Sequence, residues 1–259
     1  MDRKLLGLAS KSPGAWNMDE NRDYAGRELE AMDLAANYHR WILSCFQPFL
    51  GKRIVEVGAG TGSFSKLLLE QEIESLSLIE PSQRMYQRLC AQFESPASAE
   101  IRTYHAVFSE VAAEIKARQK PDSIIYVNVL EHVERDEAEL TILHETLDHE
   151  GRIFILVPAL QWLYGEFDRQ LGHYRRYTRQ ALRDKCERAG FKVLRSAYVD
   201  MLGVAPWWTK YRLLKSTTME PRAVSLYDKL AIPVSRTIES LIAPPIGKNV
   251  MLIGEKRLA

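Results

Sequence analysis

The chain of 259 residues sets 35 Lys and Arg against 34 Asp and Glu, with 46% hydrophobic and 27% charged residues. That balance excludes the broad basic field of a protein held mainly by nucleic-acid phosphates, so no nucleic-acid partner is expected. Cys45, Cys90 and Cys186 are odd in number and far apart. They encode neither a disulfide framework nor a zinc knuckle and point to a reducing, cytoplasmic compartment. The opening Leu5–Ala9 run is too short for a signal-peptide core. No apolar run approaches the roughly 18 residues that span a bilayer.

Residues 1–50 read as a helical cap, helical from about Tyr24, with Leu34, Tyr38, Trp41, Ile42 and Cys45 forming one apolar stripe. From 51 to 200, short β-type runs alternate with helix-type stretches. Ile54–Val57 is followed by a helix over Ser63–Gln71, and Leu76–Ile79 by a helix over Gln83–Phe93. Ile101–Val107 and Ile124–Val127 read as strands, then Glu137–Leu147 as a helix. Ile153–Val157 precedes a helix over Thr178–Ala189, where Gly190 is placed to stop it before the strand Phe191–Tyr198. Residues 201–247 break the alternation with aromatic, basic and proline-rich sequence, and Leu230–Val234 and Leu241–Ile246 read as apolar and proline-broken. Residues 248–259 contain a last strand, Asn249–Gly254, that returns to the main sheet and makes 201–247 a late insertion. Alternating βα units with nearly continuous apolar strands predict a single α/β domain. Its doubly wound, seven-stranded, mostly parallel sheet carries helices on both faces.

The sharpest motif is Val55-Glu56-Val57-Gly58-Ala59-Gly60-Thr61-Gly62-Ser63-Phe64, a strand entering a helix through a turn with glycine at alternate positions. Glycine permits positive φ and close backbone approach by a ligand. The helix start offers unpaired N–H groups. Glu80 closes the second strand, where a carboxylate can accept both hydroxyls of a ribose. A dinucleotide fingerprint needs a third glycine three places after the second, and Ser63 stands there. An acid two residues before the first glycine disfavours a diphosphate. It suits a ligand that carries an ammonium and a sulfonium.

This segment resembles motif I of class I S-adenosylmethionine-dependent methyltransferases, with a Rossmann-like fold, and Glu80 is similar to their ribose-binding acid. Asn128-Val129-Leu130-Glu131-His132-Val133 resembles the N-x-L-E-H-x element of the broad bacterial small-molecule branch. Gly172-His173-Tyr174-Arg175-Arg176-Tyr177-Thr178 resembles the region after the fifth strand in that branch. The likeness covers about 34–200. It implies that Gly58, Ala59, Gly60, Thr61, Gly62 and Phe64 line the methionine part of S-adenosylmethionine, with Glu56 reaching its ammonium. Glu80 would hold the ribose, while Pro81, Ser82 and Met85 border the adenine. His105, Ala106 and Val107 would meet the adenine ring, although the acid common at that position is missing. Asn128 and Val129 would pass beneath the sulfonium. Apart from the resemblance, the position of Tyr38 shortly before the first strand suggests a lid over the cofactor. Met85 as core filler and the Tyr38 stripe as a packing face are the plainer readings.

Methyl transfer is an in-line displacement, so alignment is the enzyme's main contribution. A base can also take a proton from a hydroxyl or amine nucleophile, and His132 and His173 are the candidates. Tyr174, Tyr177 and Trp207 are candidate acceptor contacts. Arg175, Arg176 and Arg179 form either a solvated basic face or a receiver for an acidic acceptor. No metal site is expected, since Glu131 and Glu134 alone make a weak cluster. The place after the fourth strand lacks the motifs of DNA methyltransferases, which leaves a small-molecule or lipid-linked acceptor. The aromatic and cationic 201–215 segment suits peripheral membrane contact, a packed helical cap or a dimer interface. Two alternatives stay open: an NAD(P)-dependent oxidoreductase, and a non-catalytic module that only binds S-adenosylmethionine.

Overall fold

The computed structural model describes residues 32–93 and 99–257. The cap helix expected from Tyr24 therefore begins outside the described residues, and the first described helix is α1 (Ala36–Phe46). In chain order there follow β1 (Arg53–Val57), α2 (Ser63–Leu69), β2 (Ser75–Ile79), α3 (Gln83–Gln92), β3 (Glu100–Tyr104) and α4 (Phe108–Gln119). Then come β4 (Ser123–Val127), α5 (Asp136–Thr146), β5 (Arg152–Pro158), α6 (Glu166–Gln170), α7 (Arg179–Arg188) and β6 (Phe191–Val199). The late segment holds α8 (Val204–Trp207), a π-helical turn (Trp208–Leu213) and α9 (Pro221–Leu241), and β7 (Asn249–Lys256) closes the chain.

The sheet order is β3-β2-β1-β4-β5-β7-β6. β1 pairs in parallel with both β2 and β4, so the winding reverses between β1 and β4. Loops leaving the carboxyl ends of those two strands part to opposite faces and leave a crevice, the usual ligand position in such sheets. β7 runs antiparallel between β5 and β6, as a strand of the main sheet.

Alternation along β1 sorts its side chains between two cores. Val55 and Val57 join the face covered by α4, α5 and α7, while Ile54 joins the face covered by α1 and α2. Glu56 shares the parity of Ile54 and is only 3% exposed, a carboxylate placed by strand geometry in an otherwise apolar layer.

Three features differ from the expectations. β3 ends at Tyr104, and Val107 instead caps α4, a helix absent from the sequence reading. Its buried Phe108, Ala112 and Ile115 lie four and three residues apart, a helical spacing overshadowed by the charged residues between them. Pro233 does not break the late segment; α9 runs unbroken through it for 21 residues. Pro233 and Lys229 both lie on the exposed side, so water can satisfy the carbonyl that the missing proline N–H leaves free. α9 also caps α1, whose N-cap residue Ala35 has no side-chain acceptor. The buried Asp228 carboxylate accepts from the backbone N–H of Asn37 at 3.0 Å and of Tyr38 at 2.8 Å.

Candidate active site

The glycine loop is shaped by three left-handed positions, with φ of 70° at Gly58, 57° at Gly60 and 88° at Gly62. Two also lack room for a side chain. A Cβ on Gly58 would lie 2.5 Å from Val129 Cγ2, and one on Gly62 would lie 2.7 Å from Phe93 Cε2. Gly58 and Ala59 both donate to the carbonyl of Ile79, at 2.8 and 3.0 Å, which ties the loop to the end of β2. From there Glu80 reaches back. Its Oε2 accepts from Gly60 N at 2.8 Å and its Oε1 from Ser82 N at 2.8 Å. Burial raises the Glu80 carboxyl, opposed by these N–H donors. An ionised carboxylate has about four acceptor positions, so two remain for ligand hydroxyls.

Two more acids flank the loop. Glu56 Oε2 accepts from Ser65 Oγ at 2.5 Å, and burial pushes its carboxyl up to about 8, with Ser65 opposing and Glu80 adding. Asp33 Oδ1 accepts from Thr61 Oγ1 at 2.6 Å and Ser63 Oγ at 2.5 Å. Three acids thus flank the loop, Asp33 and Glu56 inside the cleft and Glu80 at its edge. A diphosphate finds no counter-charge there, and an ammonium would draw the Glu56 carboxyl into its ionised form.

The opposite wall comes from the loops after β4 and β5. Asn128 adopts φ 55° and donates to Leu156 O at 2.8 Å. The 3₁₀ turn Leu130–His132 then buries Glu131 completely. Burial pushes the Glu131 carboxyl up to about 8 and lowers His132 to about 3, with His173 adding to the latter. The His132 and His173 rings meet edge to face at 4.6 Å. His173 Nδ1 lies 3.1 Å from Asp168 Oδ1, which also accepts from Arg176 Nε at 2.8 Å. Burial opposes ionisation of Asp168, yet these two partners hold it below the ordinary carboxyl range. Burial lowers His173 in turn, with Asp168 resisting.

The third side is the cap. Asn249 Nδ2 donates to Tyr38 Oη at 2.7 Å. Lys248 Nζ lies 5.5 Å from the Tyr38 ring and 5.7 Å from Trp207, while Arg176 stacks on Trp207 at 4.8 Å. Behind Tyr38 and Trp207 lies an apolar annex of about 190 Å³, bounded by Tyr211, Val224, Tyr227 and Ile232. Met32, Tyr38, Trp207, Met219 and Lys248 line both spaces.

The cleft, about 240 Å³, brings together Tyr38, Glu56, Gly58, Ala59, Gly60, Thr61, Phe64, Asn128, His132, His173 and Trp207. Gly62 sits at the helix start and Val129 beneath Gly58. Pro81, Ser82 and His105 form a separate rim beside Glu80. There His105 Nε2 lies 3.1 Å from Pro81 O and its exposed ring stacks on Tyr86. Ala106 is half-buried next to that rim. Met85 and Val107 are buried beneath it, Met85 at 1% exposure as a packed side chain. Tyr174 is 43% exposed and does not line the cleft. Neither does Tyr177, which is buried and donates to Asp136 Oδ2 at 2.8 Å. Arg176 departs from the solvated-face reading, being 5% exposed and paired with Asp168. Sequence reasoning missed His39, Lys248 and Asn249 as cleft residues and Asp168 as the partner of His173, and it noted Glu131 in the Asn128–Val133 element without giving it a place in the cleft.

A family model described as a methyltransferase domain matches residues 27–196. No curated protein matches by sequence. Among solved structures, the chain is similar to phosphoethanolamine N-methyltransferase 2 of Haemonchus contortus in complex with S-adenosyl-L-methionine. That match has 14% identity and TM-score 0.60, covering 93% of this chain and 61% of that one. It is also similar to an S-adenosylmethionine-dependent methyltransferase of Thermotoga maritima, at 16% identity and TM-score 0.56, covering 93% and 99%. A third similar structure is a [4+2]-cyclase, at 15% identity and TM-score 0.55, covering 86% and 81%. Likeness at these identities shows the fold, and one fold hosts more than one chemistry.

Proposed function

Because the chain belongs to the methyltransferase-domain family and takes S-adenosylmethionine as methyl donor, we propose that it methylates a small, largely apolar or lipid-linked acceptor. The observation carrying this reading is the annex, an apolar space that shares a wall with the cleft at Tyr38, Trp207 and Lys248. The donor supplies a methyl group already activated by a sulfonium. What this chain supplies is placement. Gly58, Ala59 and Gly60 bring backbone close to the methionine part, Glu56 faces its ammonium, and Glu80 takes the ribose hydroxyls. Pro81, Ser82 and His105 border the adenine. The acceptor enters from the annex, with its reacting atom against Glu131, His132 and His173. His173 is the better acceptor contact of the two histidines, since Asp168 orients its Nδ1 and leaves Nε2 for the cleft. The deciding experiment incubates the protein with isotope-labelled S-adenosylmethionine and separate aqueous and lipid extracts, then seeks a labelled product by mass spectrometry. A label confined to the lipid extract supports the annex reading, and no label in either extract refutes it.

The outer surface of the late segment favours acceptors presented at a membrane. Trp208, Leu213, Leu214, Leu226, Leu230, Val234 and Leu241 are exposed there, between 43% and 80%. Arg212, Lys215, Arg222, Lys229 and Arg236 are exposed among them. Of the three acids in the segment only Glu220 is exposed: Asp228 is buried against α1, and Glu239 accepts from the backbone of Asp200 and Met201. An apolar stripe framed by cations matches an anionic bilayer surface. No helix among the described residues is long and apolar enough to cross a membrane. Flotation with phosphatidylglycerol vesicles, against phosphatidylcholine controls, tests this. The triple variant Leu226→Ser, Leu230→Ser, Val234→Ser should lose binding, and wild type that never floats removes the membrane reading while leaving methyl transfer intact.

A further inference from the structure

Glu131 has a property that positioning a sulfonium does not require. Its side chain is fully buried, and neither carboxyl oxygen has a hydrogen-bond partner among the described residues. Buried polar groups are normally paired, and a carboxyl left without a partner in the interior is destabilising. The nearest basic atom is His173 Nε2, 4.0 Å from Glu131 Oε1. One donor atom from each of Glu131, His132 and His173 lies within 4.8 Å of the others. All three residues line the cleft.

The supports behind the two imidazoles are also suited to metal ligation. Asp168 lies 3.1 Å from His173 Nδ1, which fixes the proton there and leaves the Nε2 lone pair directed at Glu131. His132 is hydrogen-bonded to the backbone of Gly172, which holds its ring against His173. Arg176, the nearest permanent cation to Asp168, is engaged by that carboxylate and by Ala159 O at 3.2 Å, so it does not complete Glu131. Ligands about 2.1 Å from one ion stand about 3–3.5 Å apart, so the cluster must close by about 1 Å, within the reach of side-chain rotations.

We infer that Glu131, His132 and His173 form a seat for one divalent transition-metal cation, whose open positions face the cleft and bind an acceptor carrying a hydroxyl beside a second oxygen. The inference rests on the methyltransferase reading above and names the acceptor class for it. Two nitrogens and one oxygen suit Mn²⁺, Fe²⁺ or Zn²⁺ better than Mg²⁺ or Ca²⁺, which prefer oxygen shells. The chemistry balances without a redox partner. Coordination acidifies the hydroxyl and its proton passes to solvent water. The oxygen lone pair forms the new C–O bond as the methyl C–S bond breaks, and that electron pair returns to sulfur as a neutral thioether.

The test uses the full chain, stripped with EDTA and dialysed. Wild type is titrated with MnCl₂ and with ZnCl₂ by calorimetry, bound metal is counted by plasma mass spectrometry, and Mn²⁺ is followed by electron paramagnetic resonance. One ion per chain is expected, with affinity falling at least 30-fold in Glu131→Gln and in His173→Gln. S-adenosylhomocysteine affinity should stay within threefold in both variants. Wild type that binds S-adenosylhomocysteine but no stoichiometric ion overturns the metal seat alone. So does an ion whose affinity neither substitution changes. Wild type that binds neither the ion nor S-adenosylhomocysteine overturns the cleft reading itself. The wild-type measurements decide the matter even if a variant fails to fold.

Discussion

Glu56→Gln probes the electrostatic premise of the cleft. The Glu56 carboxyl titrates near 8 because burial opposes its charge, with the Ser65 hydroxyl only partly compensating. At pH 6.5 it is therefore mostly protonated. An ammonium set against it favours the carboxylate, so cofactor binding should expel close to one proton per molecule. Ionising a group one pKa unit above ambient pH costs about 1.4 kcal/mol. Affinity should thus tighten about tenfold from pH 6 to 7 and level off above 8. Calorimetry with S-adenosylhomocysteine, in two buffers of different ionisation enthalpy, reads the released proton directly. Glutamine keeps an oxygen for Ser65 and the same volume but cannot ionise. The variant should release no proton, lose the pH dependence and bind about 10- to 100-fold more weakly, consistent with about 1.5–3 kcal/mol for a charged hydrogen bond. Without ligand the sign reverses. A carboxyl raised from 4.5 to about 8 contributes stability in full below 4.5 and loses it as pH rises through 8. Unliganded Glu56→Gln should therefore match wild type at pH 4 and melt higher at pH 8. Identical wild-type binding enthalpies in the two buffers at pH 6.5 would refute the reasoning.

Gly58→Ala places a methyl group 2.5 Å from Val129 Cγ2 on a backbone at φ 70°. It should cost about 2–4 kcal/mol in urea unfolding and abolish the thermal shift given by S-adenosylhomocysteine; a preserved shift would place the cofactor elsewhere. Arg176→Ala unpairs one side of the buried Asp168 and removes the stack on Trp207. Loss of about 3 kcal/mol is expected, and a loss under 1 kcal/mol would mean that His173 and the backbone N–H of Gly165, which donates to Asp168 Oδ2 at 2.9 Å, suffice for Asp168. His132→Ala and His173→Ala should each lower turnover at least 100-fold while S-adenosylhomocysteine affinity stays within threefold. Unchanged turnover in both would remove that wall from the chemistry.

What the sequence determined by itself is the cofactor half of the molecule. The alternating glycines, the strand before them and the acid closing the second strand are local requirements, because positive φ and strand-to-helix turns are specified within a few residues. The same locality made six of the seven strands readable nearly to their ends, with β3 stopping three residues short of the expected run. Over residues 34–200 that short-range pattern was enough to carry the α/β fold and the resemblance to class I methyltransferases, and the resemblance in turn implied the ligand. The acceptor half was decided only in three dimensions. Tyr38 and Asn249 are 211 residues apart in the chain and share a hydrogen bond because β7 inserts beside β5 while α9 packs on α1. Asp168, His173 and Arg176 are near neighbours in sequence, yet no periodicity distinguishes a solvated arginine from one folded under Trp207. Tyr177 looks like a cleft aromatic on paper and is drawn into the core by Asp136. Glu131 reads in sequence as a member of the Asn128–Val133 element and as half of a weak acidic pair with Glu134, until the sheet order sets it against His173 with both oxygens unpartnered. Those outcomes depend on which loops the strand order brings together, and that is a property of the whole sheet rather than of any segment within it.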